Sequence, residues 1–279
     1  MFSQPTRKRF GQHWLTSPTV LQAIVAAAAI TAEDGVLEIG PGTGALTQAL
    51  LPLARVVIAV EIDRDLGRQL RQQFAPYDNF KLVEADILSL DLATLGSDQG
   101  LPLGLPNKVV ANIPYYITGP ILEKLLGTMA RPNPQPYASI VLLVQQEVAE
   151  RLCAQPGSRA FGALSVRVQY LADCERICPV PAQAFRPPPK VDSAVVRLTP
   201  RPSAILAQDP AALDQLVKLG FASKRKMLRN NLKGVIDREQ LTTLMAELDI
   251  AATARAEDLS VAHWVALSNR LGPRASPNP

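Results

Sequence analysis

The chain has 279 residues, 47% hydrophobic and 19% charged, which excludes wholesale disorder and predicts a well-buried core in more than one domain. Its 29 lysines and arginines against 25 acids leave a net charge of +4, too small to dictate a polyanionic partner by itself. Cys153, Cys174 and Cys178 cannot make a full disulfide set, and without nearby histidines they predict no metal site.

The basic "RKR" at 7–9 opens the chain and is followed by polar Gln12 and His13, not by the apolar core of a leader. The apolar run "IVAAAAI" at 24–30 is far short of a membrane span, so a cytoplasmic protein without a membrane partner is expected. From residue 36, short β-rich runs alternate with helical stretches: "VLEI", "VVIAVEI", "KLVEADI", "KVVANI" and "SIVLLV" read as strands. "ALTQALLPLA" and "DLGRQLRQQF", with apolar spacing near 3.6, read as crossover helices between them. This rhythm predicts a doubly wound α/β fold, a mostly parallel sheet. After 165, "SVRVQYLADCERICPV" and "SAVVRLTP" flank a proline-rich loop and predict an antiparallel pair at one edge. Pro200 and Pro202 mark a linker, giving a first domain at 1–202 and a second at 203–279.

In the second domain, "PAALDQLVKLGF", "KRKMLRNNLKGV", "DREQLTTLMAEL" and "VAHWVALSNRL" all show helical periodicity, and the breaker-rich "GPRASPNP" predicts a frayed end. The positive excess lies here: residues 201–279 carry 11 basic and 8 acidic side chains, against 18 and 17 in residues 1–200. Lys218, Lys224, Arg225, Lys226, Arg229 and Lys233 fall within 16 residues that contain no acid. On one helix, Lys218, Arg225, Arg229 and Lys233 would share a stripe beside an apolar stripe of Phe221, Leu228, Leu232 and Val235. A solvated face and an RNA contact both fit such a run; the missing interleaved acids favour RNA, with Arg7, Lys8 and Arg9 as a second contact.

"LEIGPGTGALTQAL" at 37–50 places a strand, a glycine turn and a helix start in succession. Gly40, Gly42 and Gly44 form GxGxG, a spacing that differs from the GxGxxG of dinucleotide sites and is also compatible with a simple tight turn. Glu61 and Asp86 end the next two strands, so a parallel sheet would bring both acids to the edge that carries the turn. An ionised carboxylate suits a ribose diol at Glu61, and a second acid at Asp86 suits an adenine amine. The turn carries no lysine or arginine for a phosphate, which points to S-adenosylmethionine, with Glu38 offsetting its positive methionine part. Glu38 reads equally as a buried acid satisfied by local backbone.

The fourth strand ends in "NIPY" at 112–115, a tetrad that resembles the (N/D)PPY motif of methyltransferases acting on exocyclic amines of nucleobases. That resemblance implies that Asn112 and the Ile113 carbonyl hold an adenine amine, that Pro114 fixes the turn, and that Tyr115 stacks on the base. "RKRFGQHWL", "LEIGPGTGALT", "VEIDRDL", "ANIPYYI", "AFRPPPKVDSAVVRL" and "FASKRKMLRNNL" together extend the likeness over nearly the whole chain. In this order they resemble the KsgA-type ribosomal RNA adenine dimethyltransferases of the small subunit. The resemblance implies two methyl transfers per base, a cofactor site lined by His13, Leu15, Gly40, Glu61, Asp86 and Asn112, and Phe185 facing Tyr115 across a flipped adenine. It also implies small-subunit rRNA in a pre-ribosomal particle as the partner, and a monomer without metal is expected. One departure stands out: the family usually reads GQNFL where this chain has His13 and Trp14. Methylation of large-subunit rRNA or DNA, and an assembly factor without catalysis, are the competing readings. A nicotinamide dehydrogenase is disfavoured by the glycine spacing.

Overall fold

The computed structural model describes residues 13–102, 104, 106–201, 206–234 and 236–272. Arg7, Lys8, Arg9, the linker around Pro202 and the segment after Gly272 lie outside the described residues. In chain order the elements are β1 (Trp14–Leu15), α1 (Pro18–Ala28), β2 (Gly35–Ile39), α2 (Ala45–Leu50), β3 (Val56–Glu61), α3 (Arg64–Gln73) and β4 (Phe80–Glu84). They continue with α4 (Leu95–Asp98), β5 (Lys108–Asn112), α5 (Thr118–Leu126), β6 (Ser139–Gln145), α6 (Gln146–Leu152), α7 (Ala163–Leu171), β7 (Ala172–Val180), β8 (Phe185–Arg186) and β9 (Ser193–Pro200). The last four are α8 (Pro210–Gly220), α9 (Leu228–Asn231), α10 (Arg238–Glu247) and α11 (Val261–Leu271).

The chain divides into two compact units, neither of which is one continuous segment. Residues 1–125, 133–149 and 174–200 form the first; 126–132, 150–173 and 201–279 form the second. The second unit thus draws in two stretches ahead of the linker anticipated at 202, one of which carries α7, because Phe161, Val166 and Tyr170 belong to its apolar core with Leu213, Leu228 and Trp264. The sequence segment "SVRVQYL", expected to begin a strand, is helical for the same reason: Ser165, Val166, Val168 and Tyr170 are all buried on α7.

The first unit is a seven-stranded sheet in the order β4-β3-β2-β5-β6-β9-β7. β2 pairs in parallel with β3 and β5, β3 with β4, and β5 with β6, while β9 runs antiparallel to β6. From β2 the chain builds outward first through β3 and β4 and then, on the other side, through β5 and β6, so the order reverses between β2 and β5. Ligands of such sheets bind at the carboxyl ends of the strands flanking that reversal. β2, β3 and most of β5 and β6 are buried along their length, which explains the continuous apolar runs that announced them.

The opposite end of β2 and β5 is locked by a polar cluster. Lys108 Nζ lies 3.0 Å from Asp34 Oδ2 and donates to the carbonyl of Ala29 at 2.6 Å. Asn107 Nδ2 donates to Asp34 Oδ1 at 2.7 Å, and its Oδ1 accepts from Gly35 N at 2.9 Å. Burial alone would push the Asp34 carboxyl up, but hydrogen bonds from Asn107, Thr31 and Lys108 hold it well below the usual carboxylate range. The register of the two strands that frame the reversal is thereby pinned from behind.

The helical part of the sequence reading needs one correction. α8 stops at Gly220, residues 221–227 form turns, and only Leu228–Asn231 of "KRKMLRNNLKGV" is helical. Asn231 Nδ2 donates to the carbonyls of Gly220 at 2.5 Å and Ser223 at 3.0 Å, which ties the chain into a turn where the periodicity would have continued a helix. Lys218 and Arg229 therefore do not share a helical stripe. Leu228 and Leu232 are nevertheless fully buried, as the apolar half of that pattern required.

Candidate active site

A cavity of about 210 Å³ opens at the carboxyl edge of β2, β3, β4 and β5. Its walls are built from the turn after β2, the ends of β3 and β5, and residues 85–88 and 13–15. His13, Leu15, Glu38, Gly40, Gly42, Glu61, Asp86, Asn112, Ile113, Pro114 and Tyr115 all line it. The parallel topology brings segments from Glu38 to Asn112 to one pocket, and the antiparallel β1–β8 pairing adds residues 13–15.

The glycine turn works through backbone shape. Gly40, Gly42 and Gly44 have φ of +67°, +58° and +83°, a region that side chains with a Cβ enter only at a cost. At Gly42 a Cβ would also fall 2.6 Å from the Trp14 ring, so the indole lies directly over the turn. Gly44 does not line the cavity; it caps α2, and its missing Cβ makes room for the Phe74 ring 2.6 Å away. Its place in the cofactor set is therefore corrected to a packing role.

Three acids line the cavity. Glu38 is 1% exposed; its Oε2 accepts from Thr47 Oγ1 at 2.6 Å, while Oε1 has no partner. Burial, with the nearby Glu61 carboxylate adding to it, pushes the Glu38 carboxyl up to about 8 against the Thr47 bond. Glu61, at the end of β3, accepts from Gly42 N at 3.2 Å and Asp63 N at 2.9 Å, and burial pushes its carboxyl up as well despite those bonds. Asp86 lies two residues beyond the end of β4, in the turn, where Oδ1 accepts from Leu88 N at 2.9 Å.

Asn112 closes β5 and donates Nδ2 to the carbonyl of His13 at 3.3 Å. That bond engages the NH₂ and leaves the amide oxygen as an acceptor. His13 Nδ1 lies 2.8 Å from the Pro187 carbonyl, which can only accept, so the ring carries its proton on Nδ1 and a neutral ring keeps Nε2 as an acceptor. The His13 and Tyr115 rings stand 6.3 Å apart between centroids at 18°. Phe185 is not opposite Tyr115: it is 2% exposed, paired with Leu15 in the β1–β8 ribbon and packed in the apolar core. The ring expected across a base is spent on holding the arm of β1 in place.

A model of the ribosomal RNA adenine dimethylase family matches residues 3–272. The chain belongs to that family. Ribosomal RNA small subunit methyltransferase A of Trichormus variabilis is 61% identical over 270 residues, covering 95% of this chain and 98% of that protein. Its counterpart in Acaryochloris marina is 58% identical over 267 residues, covering 96% and 97%. Among solved structures, a dimethyladenosine transferase from Plasmodium falciparum superposes with a TM-score of 0.78 at 29% identity, covering 93% of this chain and 97% of the other. The 23S rRNA methyltransferase ErmE gives 0.74 at 26% identity, covering 93% and 100%. The fold of this adenine dimethylase is thus the Rossmann-like methyltransferase sheet with an antiparallel edge.

Among the dimethylase cavity residues not assigned to the site from sequence are Trp14 and Ile62. Trp14 covers the glycine turn, and Ile62, half exposed beside Glu61, offers an apolar wall. Tyr116, next to the NIPY tetrad, is also at the cavity wall and 63% exposed. An exposed isoleucine next to a strand-end acid is a usable signal; the position of Trp14 depends on a ribbon formed with residues 185–186 and has none.

In the second unit Lys218, Lys224, Arg225, Lys226 and Lys233 are exposed and Arg229 is half-buried. Among the described residues no ion pair engages these six. No helix of the described residues is long and apolar enough to cross a membrane. Among the described residues there is no cluster of three or more His, Cys, Asp or Glu that could hold a metal ion.

Proposed function

We propose that this adenine dimethylase methylates the exocyclic amine of adenines in small-subunit rRNA, twice per base, with S-adenosylmethionine as donor. The observation that carries the reading is the state of Asn112: its amide nitrogen is held by the His13 carbonyl at 3.3 Å, and its oxygen is left to accept at the wall of the cavity. The cofactor fits the cavity by its chemistry. A buried Glu38 oxygen without a partner calls for a cationic donor such as the methionine ammonium, and Glu61 and Asp86 supply acceptors for ribose hydroxyls and an adenine amine. Among the described residues no basic side chain lines the cavity apart from His13, in keeping with a ligand that has no phosphate.

Bound there, S-adenosylmethionine supplies an electrophilic methyl carbon. An adenine amine is a weak nucleophile because its lone pair is delocalised into the ring. Asn112 Oδ1 and the Ile113 carbonyl accept hydrogen bonds from its two N–H groups and favour a tetrahedral nitrogen with a localised lone pair. Transfer would break the carbon–sulfur bond and leave a neutral thioether; the methylated nitrogen would be cationic, and its proton would leave to water without a strong base. Pro114, with φ −61° and ψ 131°, sets the turn that delivers Tyr115 as a stacking surface for an everted base. The exposed cations of residues 218–233 serve the phosphates of the RNA. We place the substrate in a small-subunit precursor, met in the cytoplasm by a monomer without metal.

The 61% identity to a small-subunit enzyme, against 26% to ErmE, favours the small subunit over the large one. The test is transfer of labelled methyl groups to purified undermodified small and large subunits, with the modified nucleotides mapped. Label in small-subunit adenines is expected, with Asn112→Ala losing about 10²–10³ in kcat while RNA binding holds. Label in the large subunit alone, or full turnover by Asn112→Ala, would overturn the reading.

A further inference from the structure

Tyr115 lies on a single 3-10 turn (115–117) whose own bonds are few: Ile117 N to the Pro114 carbonyl at 3.2 Å and Thr118 Oγ1 to the Tyr115 carbonyl at 3.1 Å. Neither restrains the ring. The phenol does have a partner 78 residues away, for Tyr115 Oη and Ser193 Oγ are 2.5 Å apart. Ser193 is 0% exposed and opens β9, paired with Gln145 at the carboxyl end of β6. Its neighbour Asp192 is clamped twice: its carbonyl accepts from Gln146 N at 2.9 Å, and its Oδ1 accepts from Ala182 N at 2.9 Å. The hydroxyl of Ser193 is therefore a fixed point on a hydrogen-bonded segment, and the Tyr115 ring is tethered to it.

We infer that Ser193 is a positioning residue, which fixes the plane of the Tyr115 ring through a hydroxyl–hydroxyl bond so that its face is ready to stack on the everted purine. This deepens the adenine-methylating reading above and rests on it. The physical argument concerns pre-organisation. A stacking contact is gained only if the ring plane matches the plane of the base, and a half-buried tyrosine free to turn about its side-chain torsions loses that freedom at each encounter. A bond at the far end of the ring removes the freedom beforehand without occupying either face. Burial pushes the Tyr115 phenol up, against the Ser193 bond, so the phenol keeps its proton at neutral pH and serves as an anchor and not as a base. Nothing in the roles of Asn112 and Ile113 requires Ser193, so its contribution is separable from theirs.

The test is a double-mutant cycle on the full chain with Ser193→Ala, Tyr115→Phe and the pair, following rRNA methylation and cofactor binding. Each single change deletes the same bond, so each is expected to lower kcat/KM for RNA by about five- to tenfold. Cofactor affinity should stay unchanged, and the double variant should be no worse than either single one. A buried serine with a structural role alone would give independent losses that multiply in the double variant, and that outcome overturns the proposal. Should Ser193→Ala fail to fold, Tyr115→Phe decides alone, since it removes one oxygen from a half-buried ring: wild-type kinetics there overturn the proposal and the expected loss supports it. Wild-type protein in the same assay separates the two levels. No methyl transfer by it counts against the function, whereas transfer with multiplicative losses counts against Ser193.

Discussion

Glu38 is an acid held in conditions that disfavour its charge, and this has a measurable consequence. With the folded carboxyl pushed up to about 8 from an ordinary 4.5, its stabilising neutral form is fully available below pH 4.5. As pH rises towards and through 8, folding must either keep the proton on or bury the charge, and stability falls. The buried Glu61 adds a change of the same sign. Glu38→Gln removes the larger contribution while keeping the shape and an acceptor for Thr47 Oγ1. The ligand-free variant is therefore expected to match the wild type near pH 5 and to melt at a higher temperature near pH 8.5, while binding the cofactor more weakly. Thermal scans at the two pH values check this; parallel curves would show that Glu38 is ionised in the empty site. The three acids and Asn112 were legible in the sequence because each lies at or within two residues of the carboxyl end of a strand, so the topology alone carries them to one edge. Trp14 and Ser193 were not, because their places depend on contacts between residues 13–15 and 184–187 and between residues 115 and 193.

Among the elements, the strands were readable and the second unit's short helices were not. β2, β3, β5 and β6 are buried on both faces and so appear as unbroken apolar runs. "SVRVQYL" alternates apolar and polar residues as an exposed strand would, yet Val166, Val168 and Tyr170 are buried on a helix whose surroundings come from distant segments. The break after α8 likewise depends on Asn231 reaching back to Gly220, which no local periodicity encodes. Two predictions follow from element packing. Gly220→Ala places a Cβ 2.3 Å from the ring of the fully buried Trp264, and α8 cannot approach α11 unchanged. Such overpacking costs about 1–3 kcal/mol, even though alanine is the better helix former; denaturant titration should show the loss. Asp34→Ala leaves Lys108, with only 12% of its side chain exposed, without its carboxylate partner. Removing one member of a buried pair costs about 3–5 kcal/mol, here in the sheet that carries the cavity, whereas Glu33→Ala, which loses only the exposed pair with Arg55, should be near neutral.

For the whole molecule, the question is whether a net charge of +4 can retain a polyanion in a salty cell. Net charge is the wrong quantity, because the excess is local: five exposed cations among residues 218–233 have no acid between them and no ion pair among the described residues. Among the described residues, ion pairs of the second unit such as Arg167 with Asp214, Arg201 with Asp173 and Arg270 with Glu247 engage other cations and do not involve this group. Each phosphate contact releases condensed counterions, so the logarithm of affinity should fall by about 0.7–0.9 per contact for each decade of salt. Replacing Lys224, Arg225 and Lys226 by glutamine should then flatten that slope by about two to three contacts' worth while leaving cofactor binding and the melting temperature nearly unchanged, because all three side chains are exposed. Titration of an rRNA fragment at several salt concentrations reads the slope directly. An unchanged slope in the triple variant would mean that these cations only solvate the surface and that the RNA is held elsewhere on the protein.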